Sequence, residues 1–162
     1  MRIRLRAPQV LAIIGLVSLG AVGLAAIAQY VFNMQPCPWC VLQRLIYIVI
    51  GVLALLAAVL PGLLRRLFTG LALLGALWGV GTALYQQLHA VNEQSCDLSM
   101  AERFIAWLGL DQLLPQLFVA YASCADAAVS VLGIPFAIWS CIMFAILALL
   151  LAWTLRAALR TR

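Results

Sequence analysis

Apolar side chains dominate four long runs of the chain, and short segments with polar or charged side chains separate these runs. The runs extend from about Val10 to Phe32, Val41 to Leu60, Leu67 to Leu88 and Leu132 to Trp153. An α-helix needs roughly 20 apolar residues to cross a bilayer. The pattern therefore predicts an all-α, polytopic membrane four-helix bundle, with residues 1–162 forming one membrane domain. A short loop at about 33–40 and a long loop at about 89–131 connect the spans.

The composition excludes a soluble protein and argues against a nucleic-acid-binding one. Hydrophobic residues make up 67% of the chain and charged residues 9%, whereas soluble domains carry about 25% charged residues. All ten basic residues are arginine, and the net charge is +5. These arginines sit in short groups beside the apolar runs and do not form the continuous basic face that binds nucleic acid. We therefore expect a lipid bilayer around the chain and no nucleic-acid partner.

Three groups of arginine predict the orientation of the chain in the membrane. Clustered arginine marks the cytoplasmic side of a membrane protein, and four crossings place all three groups on one side. Both termini are therefore expected in the cytoplasm, and the two loops containing 33–40 and 89–131 outside it. The groups comprise Arg2, Arg4 and Arg6, then Arg65 and Arg66, and then Arg156, Arg160 and Arg162.

The N-terminus also has features of a cleavable signal peptide. A basic start and an apolar run precede Ala26-Ile27-Ala28, which resembles a cleavage site. The apolar run is longer than the ~7–15 residues usual in signal peptides and continues past this site. Cleavage would leave three spans and a C-terminal tail outside, against the arginine pattern. We therefore expect the first span to be retained, and N-terminal sequencing would decide between the two possibilities.

The long loop is expected to contain a short helix close to the bilayer. Ser99 and Glu102 fit a capping box at its start, apolar residues follow with helical spacing, and Gly109 can end it. Such an amphipathic segment can lie flat on the membrane surface. It can equally pack on the outer ends of the spans, and the sequence leaves both arrangements open.

Four of the five cysteines lie in the two loops, where an oxidising compartment favours disulfide chemistry. Cys37-Pro-Trp-Cys40 is a C-x-x-C motif, whose spacing lets both sulfurs meet and exchange as a dithiol/disulfide pair. Arg44 follows Cys40 by four residues and so lies on the same helix face. Its cation would stabilise a thiolate. An arginine inside an apolar span is costly, which favours a functional role over simple snorkelling to the interface.

The other three cysteines admit different roles. Cys96 and Cys124 are widely spaced in the long loop, and a bridge between them could be structural or could exchange with the C-x-x-C pair. Beside such a motif we favour exchange. A four-cysteine zinc site is a weaker alternative, because zinc ribbons usually present two close C-x-x-C knuckles, so no metal is expected. Cys141 lies mid-span and is best explained as a small buried apolar residue.

Taken together, these features resemble the DsbB family of inner-membrane disulfide-bond formation proteins, which reoxidise the periplasmic thiol oxidase DsbA. The similarity covers nearly the whole chain and includes four spans, a short loop with C-x-x-C and a longer loop with two cysteines. Its most specific part is Cys37-Pro-Trp-Cys40-Val-Leu-Gln-Arg44, which matches the family pattern C-x-x-C-x-x-x-R. The stretch Cys124-Ala-Asp126 also looks like the family's acid-bearing neighbourhood of its last cysteine.

The resemblance implies a role for each of these positions. Cys96 would be attacked by a reduced DsbA-like partner, and Cys124 would then be free to attack Cys37. Cys40 would become a thiolate that faces a membrane quinone, either ubiquinone or menaquinone, with Arg44 close to both. Both termini would lie in the cytoplasm of a bacterial cell, as the arginine groups also predict.

Two alternatives and one uncertain position remain at this stage. A vitamin-K-epoxide-reductase-like quinone reductase has a similar C-x-x-C, but the spacing of the loop cysteines favours the DsbB-like order. A small non-enzymatic membrane protein with structural disulfides is the other alternative. Family members often carry a His or another polar group at the outer end of the third span, and His89, Gln86 and Gln87 are all candidates for that position.

Overall fold

The computed structural model describes residues 7–91, 99–127 and 130–160, and within them most residues are helical. Four helices are long and apolar enough to cross a membrane, which confirms the prediction of a four-helix membrane bundle. In the described part of the connection between the third and fourth spans lie three short helices and a two-stranded hairpin. The elements are α1 (Ala7–Val31), α2 (Pro38–Val59), α3 (Gly62–Tyr85) with a π-helical turn (Gln86–Ala90), α4 (Met100–Trp107), α5 (Leu110–Leu113), α6 (Pro115–Phe118), β1 (Ser130–Val131), β2 (Ile134–Pro135) and α7 (Phe136–Arg160).

The four spans pack as a ring of neighbours. Helix α1 packs on α2, α2 on α3 and α3 on α7, while a smaller contact between α7 and α1 closes the ring. The core contains fully buried side chains such as Ile14, Ile50, Phe144 and Leu151. Many apolar side chains point outward from the same helices. An outward apolar surface of this kind suits lipid contact, because lipid tails are as apolar as the side chains themselves.

Small residues allow two pairs of spans to approach closely. A Cβ atom placed on Gly79 would lie 2.5 Å from Cδ1 of Phe144, and one on Gly75 would lie 3.3 Å from Cγ1 of Ile50. The Gly75-x-x-x-Gly79 spacing therefore brings α3 against both α2 and α7, as small residues do in membrane helices. Gly79 leaves the space that the buried Phe144 ring fills.

Local sequence signals explain how α2 begins at the C-x-x-C motif. Cys37 is the N-cap in an extended conformation, and its sulfur accepts a hydrogen bond from the Cys40 backbone N–H. Pro38 occupies the first helical position, where its missing N–H leaves no partner unsatisfied. At the other end Leu60 is extended, as expected for the residue that precedes Pro61. The motif therefore forms the first turn of the second span.

The expected helix in the long loop is present as α4. Both hydrogen bonds of the capping box between Ser99 and Glu102 are formed, and Gly109 follows the helix with a positive φ of 67°, which glycine adopts without strain. The hairpin precedes α7 directly, with Val131 paired to Ile134. Its apex residues Leu132 and Gly133 both have positive φ, as a two-residue type I′ connection requires.

The helix ends differ from the sequence boundaries by a few residues. Helix α3 begins at Gly62, directly after Pro61, rather than at about Leu67. Arg65 and Arg66 therefore lie in the first turns of the helix, where Arg65 Nε donates to the Ala57 carbonyl at 3.2 Å. The fourth span begins at Phe136 rather than at about Leu132, because the hairpin occupies the intervening residues.

Candidate functional site

The C-x-x-C motif places two thiols in contact at the loop end of the bundle. The sulfur atoms of Cys37 and Cys40 lie 2.8 Å apart, and both residues are free cysteines. This distance is longer than the ~2.05 Å of a disulfide bond, so the sulfurs touch without being bonded. The Cys37 side chain has no exposed surface. We refer to Cys37 and Cys40 as the dithiol pair.

The long loop folds back onto the short loop and brings a third cysteine to the dithiol pair. The backbone N–H groups of Tyr121 and Ala122 donate to the Pro36 carbonyl at 3.0 and 3.4 Å. Cys124 then packs with Cys37 in one buried cluster. Pro36 directly precedes Cys37, and Tyr121 and Ala122 closely precede Cys124. The hydrogen bonds between these backbone segments therefore bring together two cysteines that are far apart in sequence. Cys96, the fourth cysteine of the sequence prediction, lies outside the described residues.

Cys37 and Cys124 differ in their electrostatic environments. The pKa of Cys37 is raised, first because this thiol donates a hydrogen bond to Cys124, then because it hydrogen-bonds with Cys40 and because it is buried. The pKa of Cys124 is lowered, chiefly because its sulfur accepts the hydrogen bond from Cys37, and the Trp39 backbone N–H acts in the same direction. Since the thiolate is the nucleophile, Cys124 forms the reactive species more readily than Cys37 when both are reduced.

Arg44 lies buried beneath the dithiol pair, with 6% of its surface exposed. Its Nη1 donates to Gln29 Oε1 at 2.7 Å and to the Leu117 carbonyl at 3.3 Å, and its Nη2 donates to the Ala25 carbonyl at 3.3 Å. The guanidinium therefore links α2 to α1 and to the long loop. Sequence reasoning did not identify Gln29, since no local pattern indicates which residue of another span will face an arginine.

A cavity of about 290 Å³ opens beside Arg44 and Cys40. Its walls come mainly from α1, α2 and α7, and most of its lining is apolar, including Ala25, Ala28 and Met143. Tyr47 and Ser140 also line it, and the Tyr47 hydroxyl lies 3.2 Å from both the Ser140 carbonyl and its Oγ. A largely apolar cavity with a few convergent polar groups is typical of a small-molecule site.

One of the three polar candidates at the end of α3 contacts the dithiol pair. Gln86 Nε2 donates to Cys37 Sγ at 3.4 Å and to Cys40 Sγ at 3.3 Å. His89 is exposed and stacks on Tyr85, with ring centroids 5.2 Å apart. The sequence named Gln86 as a candidate, but it could not choose between neighbouring residues because the choice depends on the register of the π-helical turn.

Comparison with known protein families decides where this chain belongs. The family model for the disulfide bond formation protein DsbB matches residues 7–154, which include the first three spans, most of the fourth and the dithiol pair. The chain belongs to the DsbB family. This membership confirms the resemblance drawn from the C-x-x-C-x-x-x-R pattern and the four apolar runs.

Curated relatives of this DsbB-family chain are similar along most of their length. Disulfide bond formation protein B of Cupriavidus metallidurans is 37% identical over 141 residues, which cover 86% of this chain and 87% of that protein. The protein of the same name in Cupriavidus necator is 39% identical with the same coverage. Disulfide bond formation protein B 1 of Pseudomonas putida is 32% identical, and the matched residues cover 86% of this chain and 84% of that protein. The chain is therefore a multi-pass membrane protein of a disulfide-forming family.

Proposed function

We propose that this chain is a protein-dithiol:quinone oxidoreductase that reoxidises a periplasmic DsbA-like protein and passes the electrons to a membrane quinone. One observation supports this proposal above the others. Cys124 of the long loop packs against Cys37, Cys37 contacts Cys40, and Cys40 lines the cavity with Arg44. The three sulfurs thus form a continuous path from the loop, which a soluble partner can reach, to a cavity at membrane depth.

The proposed relay consists of thiol–disulfide exchanges in which each bond broken is replaced by one formed. A thiolate of the reduced partner attacks Cys96 of a Cys96–Cys124 disulfide and releases Cys124 as a thiolate. Cys124 then attacks Cys37 of a Cys37–Cys40 disulfide and releases Cys40 as a thiolate. When the second partner thiolate displaces Cys96, the partner leaves oxidised and two electrons remain in the cysteines of this chain. The Trp39 backbone N–H, which lowers the pKa of Cys124, does not depend on the Cys37 thiol, so it would still be available to stabilise Cys124 as the attacking thiolate.

The cavity beside Cys40 has the chemistry that a quinone requires. A quinone, when bound, accepts two electrons and two protons and so reoxidises the cysteines. The apolar walls from α1 and α7 suit its ring and isoprenoid tail. Arg44 supplies a buried cation for a quinone oxygen that gains negative charge, and Cys40 lines the same cavity. Arg44 and Cys40 are therefore the residues that we propose hold and reduce this group, with ubiquinone and menaquinone as the candidates.

The proposed function also requires a defined location. The arginine groups support a bacterial inner membrane protein with both termini in the cytoplasm. The dithiol pair and Cys124 would then face the periplasm, where DsbA-like proteins collect electrons from folding substrates.

An electron-transfer assay with purified protein tests this proposal. The protein is mixed in detergent with a reduced DsbA-like protein and a short-chain ubiquinone or menaquinone, and the loss of quinone absorbance is followed. We expect turnover by the native chain, and we expect Cys40→Ser to abolish it. Cys141→Ser is the matched control, since Cys141 lies within α7 and packs in the apolar core, so its turnover should stay near native. If the folded protein with intact cysteines gave no turnover, the proposed oxidoreductase activity would be refuted.

A further inference from the structure

We propose that the Gln86 side-chain amide is a catalytic hydrogen-bond donor to the dithiol pair, which stabilises the sulfur that becomes a thiolate, and that Gln43 holds this amide in position. This inference deepens the proposed function, because it assigns the group that tunes the redox equilibrium of the pair. It also assigns a use to the polar position at the end of the third span, which the sequence left undecided.

The geometry of Gln86 supports donation to both sulfurs. Its Nε2 lies 3.4 Å from Cys37 Sγ and 3.3 Å from Cys40 Sγ, while its Oε1 accepts a hydrogen bond from Gln43 Nε2 at 2.7 Å. A thiolate only accepts hydrogen bonds, so the NH₂ end of the amide must face the sulfurs. The bond from Gln43 fixes this choice, because it requires the oxygen of Gln86 on the opposite side.

Burial strengthens the hydrogen bonds between Gln86 and the two sulfurs. Gln43 and Gln86 are each only 5% exposed, so water competes little for either amide. A hydrogen bond to a charged group is stronger than one between neutral groups, and a buried charge without a donor is destabilised. The amide is also a neutral donor, so its ability to donate does not change with pH, and it stabilises the sulfur wherever the thiolate is formed.

The backbone at Gln86 is built to direct this residue inward. The helix changes from α to π geometry at Gln86, where the Val91 N–H bonds to the Gln86 carbonyl at 3.1 Å. Gln86 and Ala90 are both buried against the cysteines, whereas Leu88 and His89 are exposed. Single π-helical turns occur frequently at functional sites. Here the turn sets which of the neighbouring polar residues reaches the sulfurs.

Arg44 makes different contacts from Gln86, and none of its hydrogen bonds described above goes to a sulfur atom. The three hydrogen bonds of Arg44 described above go to oxygen atoms on α1 and the long loop. Its charge acts on Cys40 from a distance, while Gln86 contacts the sulfur directly. Trp39 stacks on Tyr85 with ring centroids 4.7 Å apart, and this contact keeps the ends of α2 and α3 together at the site.

The equilibrium between the dithiol pair and glutathione tests the proposal without quinone or protein partner. Two thiols of the pair react with one oxidised glutathione to give the Cys37–Cys40 disulfide and two reduced glutathiones. Cys96, Cys124 and Cys141 are replaced by Ala so that only one pair can form. Loss of a donor that stabilises the thiolate makes the reduced pair less stable. We expect Gln86→Met to favour the disulfide about tenfold, which corresponds to a potential about 30 mV lower for a two-electron couple.

Two further variants separate the roles of the amides. Gln87→Met is the matched control, a neighbouring amide of the same size, and it should leave the equilibrium within twofold of the parent. Gln43→Met should shift the equilibrium in the same direction as Gln86→Met but by less. In a Gln86→Met background it should add nothing, because Gln43 acts through Gln86. Circular dichroism and gel filtration in detergent check that each variant is folded.

The possible results distinguish this proposal from the quinone function. An unchanged equilibrium in folded Gln86→Met overturns the role of Gln86, even if the native protein reduces quinone. Equal shifts in Gln86→Met and Gln87→Met overturn it too, since they would reflect a general change at the end of α3. A shift specific to Gln86 supports the donor role, and it does so even if the native protein gives no turnover with quinone, in which case only the proposed function fails. If Gln86→Met does not fold, the glutathione equilibrium of Gln43→Met tests the proposal instead: a shift towards the disulfide supports it, and an unchanged equilibrium overturns it.

Discussion

At the scale of single residues, the site depends on how the environment divides charge between neighbouring sulfurs. Cys37 donates to Cys124 and is fully buried, so its proton is held more tightly, while Cys124 receives hydrogen bonds from Cys37 and from the backbone. In the reduced protein this contact lets Cys124 form a thiolate more readily than Cys37. The hydrogen bond from Cys37 is lost once Cys37 is part of a disulfide, so in the proposed attack on Cys37 the remaining donor to Cys124 is the Trp39 backbone N–H.

The difference in pKa between Cys37 and Cys124 predicts how the alkylation rate of Cys124 depends on pH in the reduced protein. Because its pKa is lowered, the thiolate forms at lower pH than an ordinary thiol, which titrates near 8.5. Alkylation of Cys124 by iodoacetamide should therefore reach half of its maximal rate at a lower pH than alkylation of an ordinary thiol. Cys37→Ala removes the main hydrogen-bond donor and should move this midpoint to higher pH. Mass spectrometry of the Cys124 peptide gives the rate, and an unmoved midpoint in the variant would contradict the assignment.

Arg44 gives the second prediction at this scale. Arg44→Gln removes the buried cation from the cavity and should raise the apparent KM for quinone about tenfold or more, since hydrogen bonds to charged groups contribute ~1.5–3 kcal/mol. Steady-state rates at varied quinone concentration measure this change. Arg66→Gln, at the opposite end of the bundle in α3, is the matched control and should leave KM unchanged. An unaltered KM in folded Arg44→Gln would remove this residue from the quinone site.

At the scale of elements, the packing of α3 on α7 supports the cavity wall. Phe144 fills the space left by Gly79 and stacks on Tyr47 with ring centroids 4.0 Å apart, and Tyr47 lines the cavity. Gly79→Ala would push a Cβ atom into the buried Phe144 ring. We expect the folded state to lose about 1–3 kcal/mol, as overpacked cores do, and the cavity to be disturbed through Tyr47.

Gly81→Ala is a control in the same helix for this prediction. A Cβ atom at Gly81 would meet nothing within 4 Å, and alanine has a higher helix propensity than glycine. Its thermal stability in detergent should therefore equal or exceed that of the native protein, while Gly79→Ala should unfold at a lower temperature. Equal stabilities of the two variants would show that the contact between Gly79 and Phe144 has no energetic importance.

The elements also show what the sequence could predict and where it could not. Apolar runs define the four spans, and the Ser99 capping box defines α4, because these signals are local. The sequence predicts a span from about Leu67, and the helix that contains it begins earlier, at Gly62, so that Arg65 and Arg66 lie in its first turns. Gln29 as the partner of Arg44, and Gln86 rather than His89 at the sulfurs, depend on the relative rotation of helices. That rotation is fixed by tertiary packing, which a single sequence does not encode locally.

At the scale of the whole molecule, the chemistry is concentrated at one end of the bundle. The dithiol pair, Cys124 and the π-helical turn lie at the end where the loops join α1 to α2 and α3 to α7. The turn between α2 and α3 lies at the other end, together with Arg65 and Arg66 in the first turns of α3. The loops close over the sulfurs through the contacts to Pro36 and through the bond from Arg44 to the Leu117 carbonyl. Loop docking and the buried cation thus form one structural unit.

This separation of the two ends leads to a prediction about topology. If the arginine-bearing end faces the cytoplasm, the C-terminus after α7 lies there too. A green fluorescent protein fused after Arg162 should then be fluorescent, and an alkaline phosphatase fused at the same position should be inactive, since it folds only outside the cytoplasm. Alkaline phosphatase inserted in the long loop between α3 and α4 is the converse control and should be active. The opposite pattern of activities would place the sulfurs in the cytoplasm, a reducing compartment, where a relay that generates disulfides could not serve a periplasmic partner.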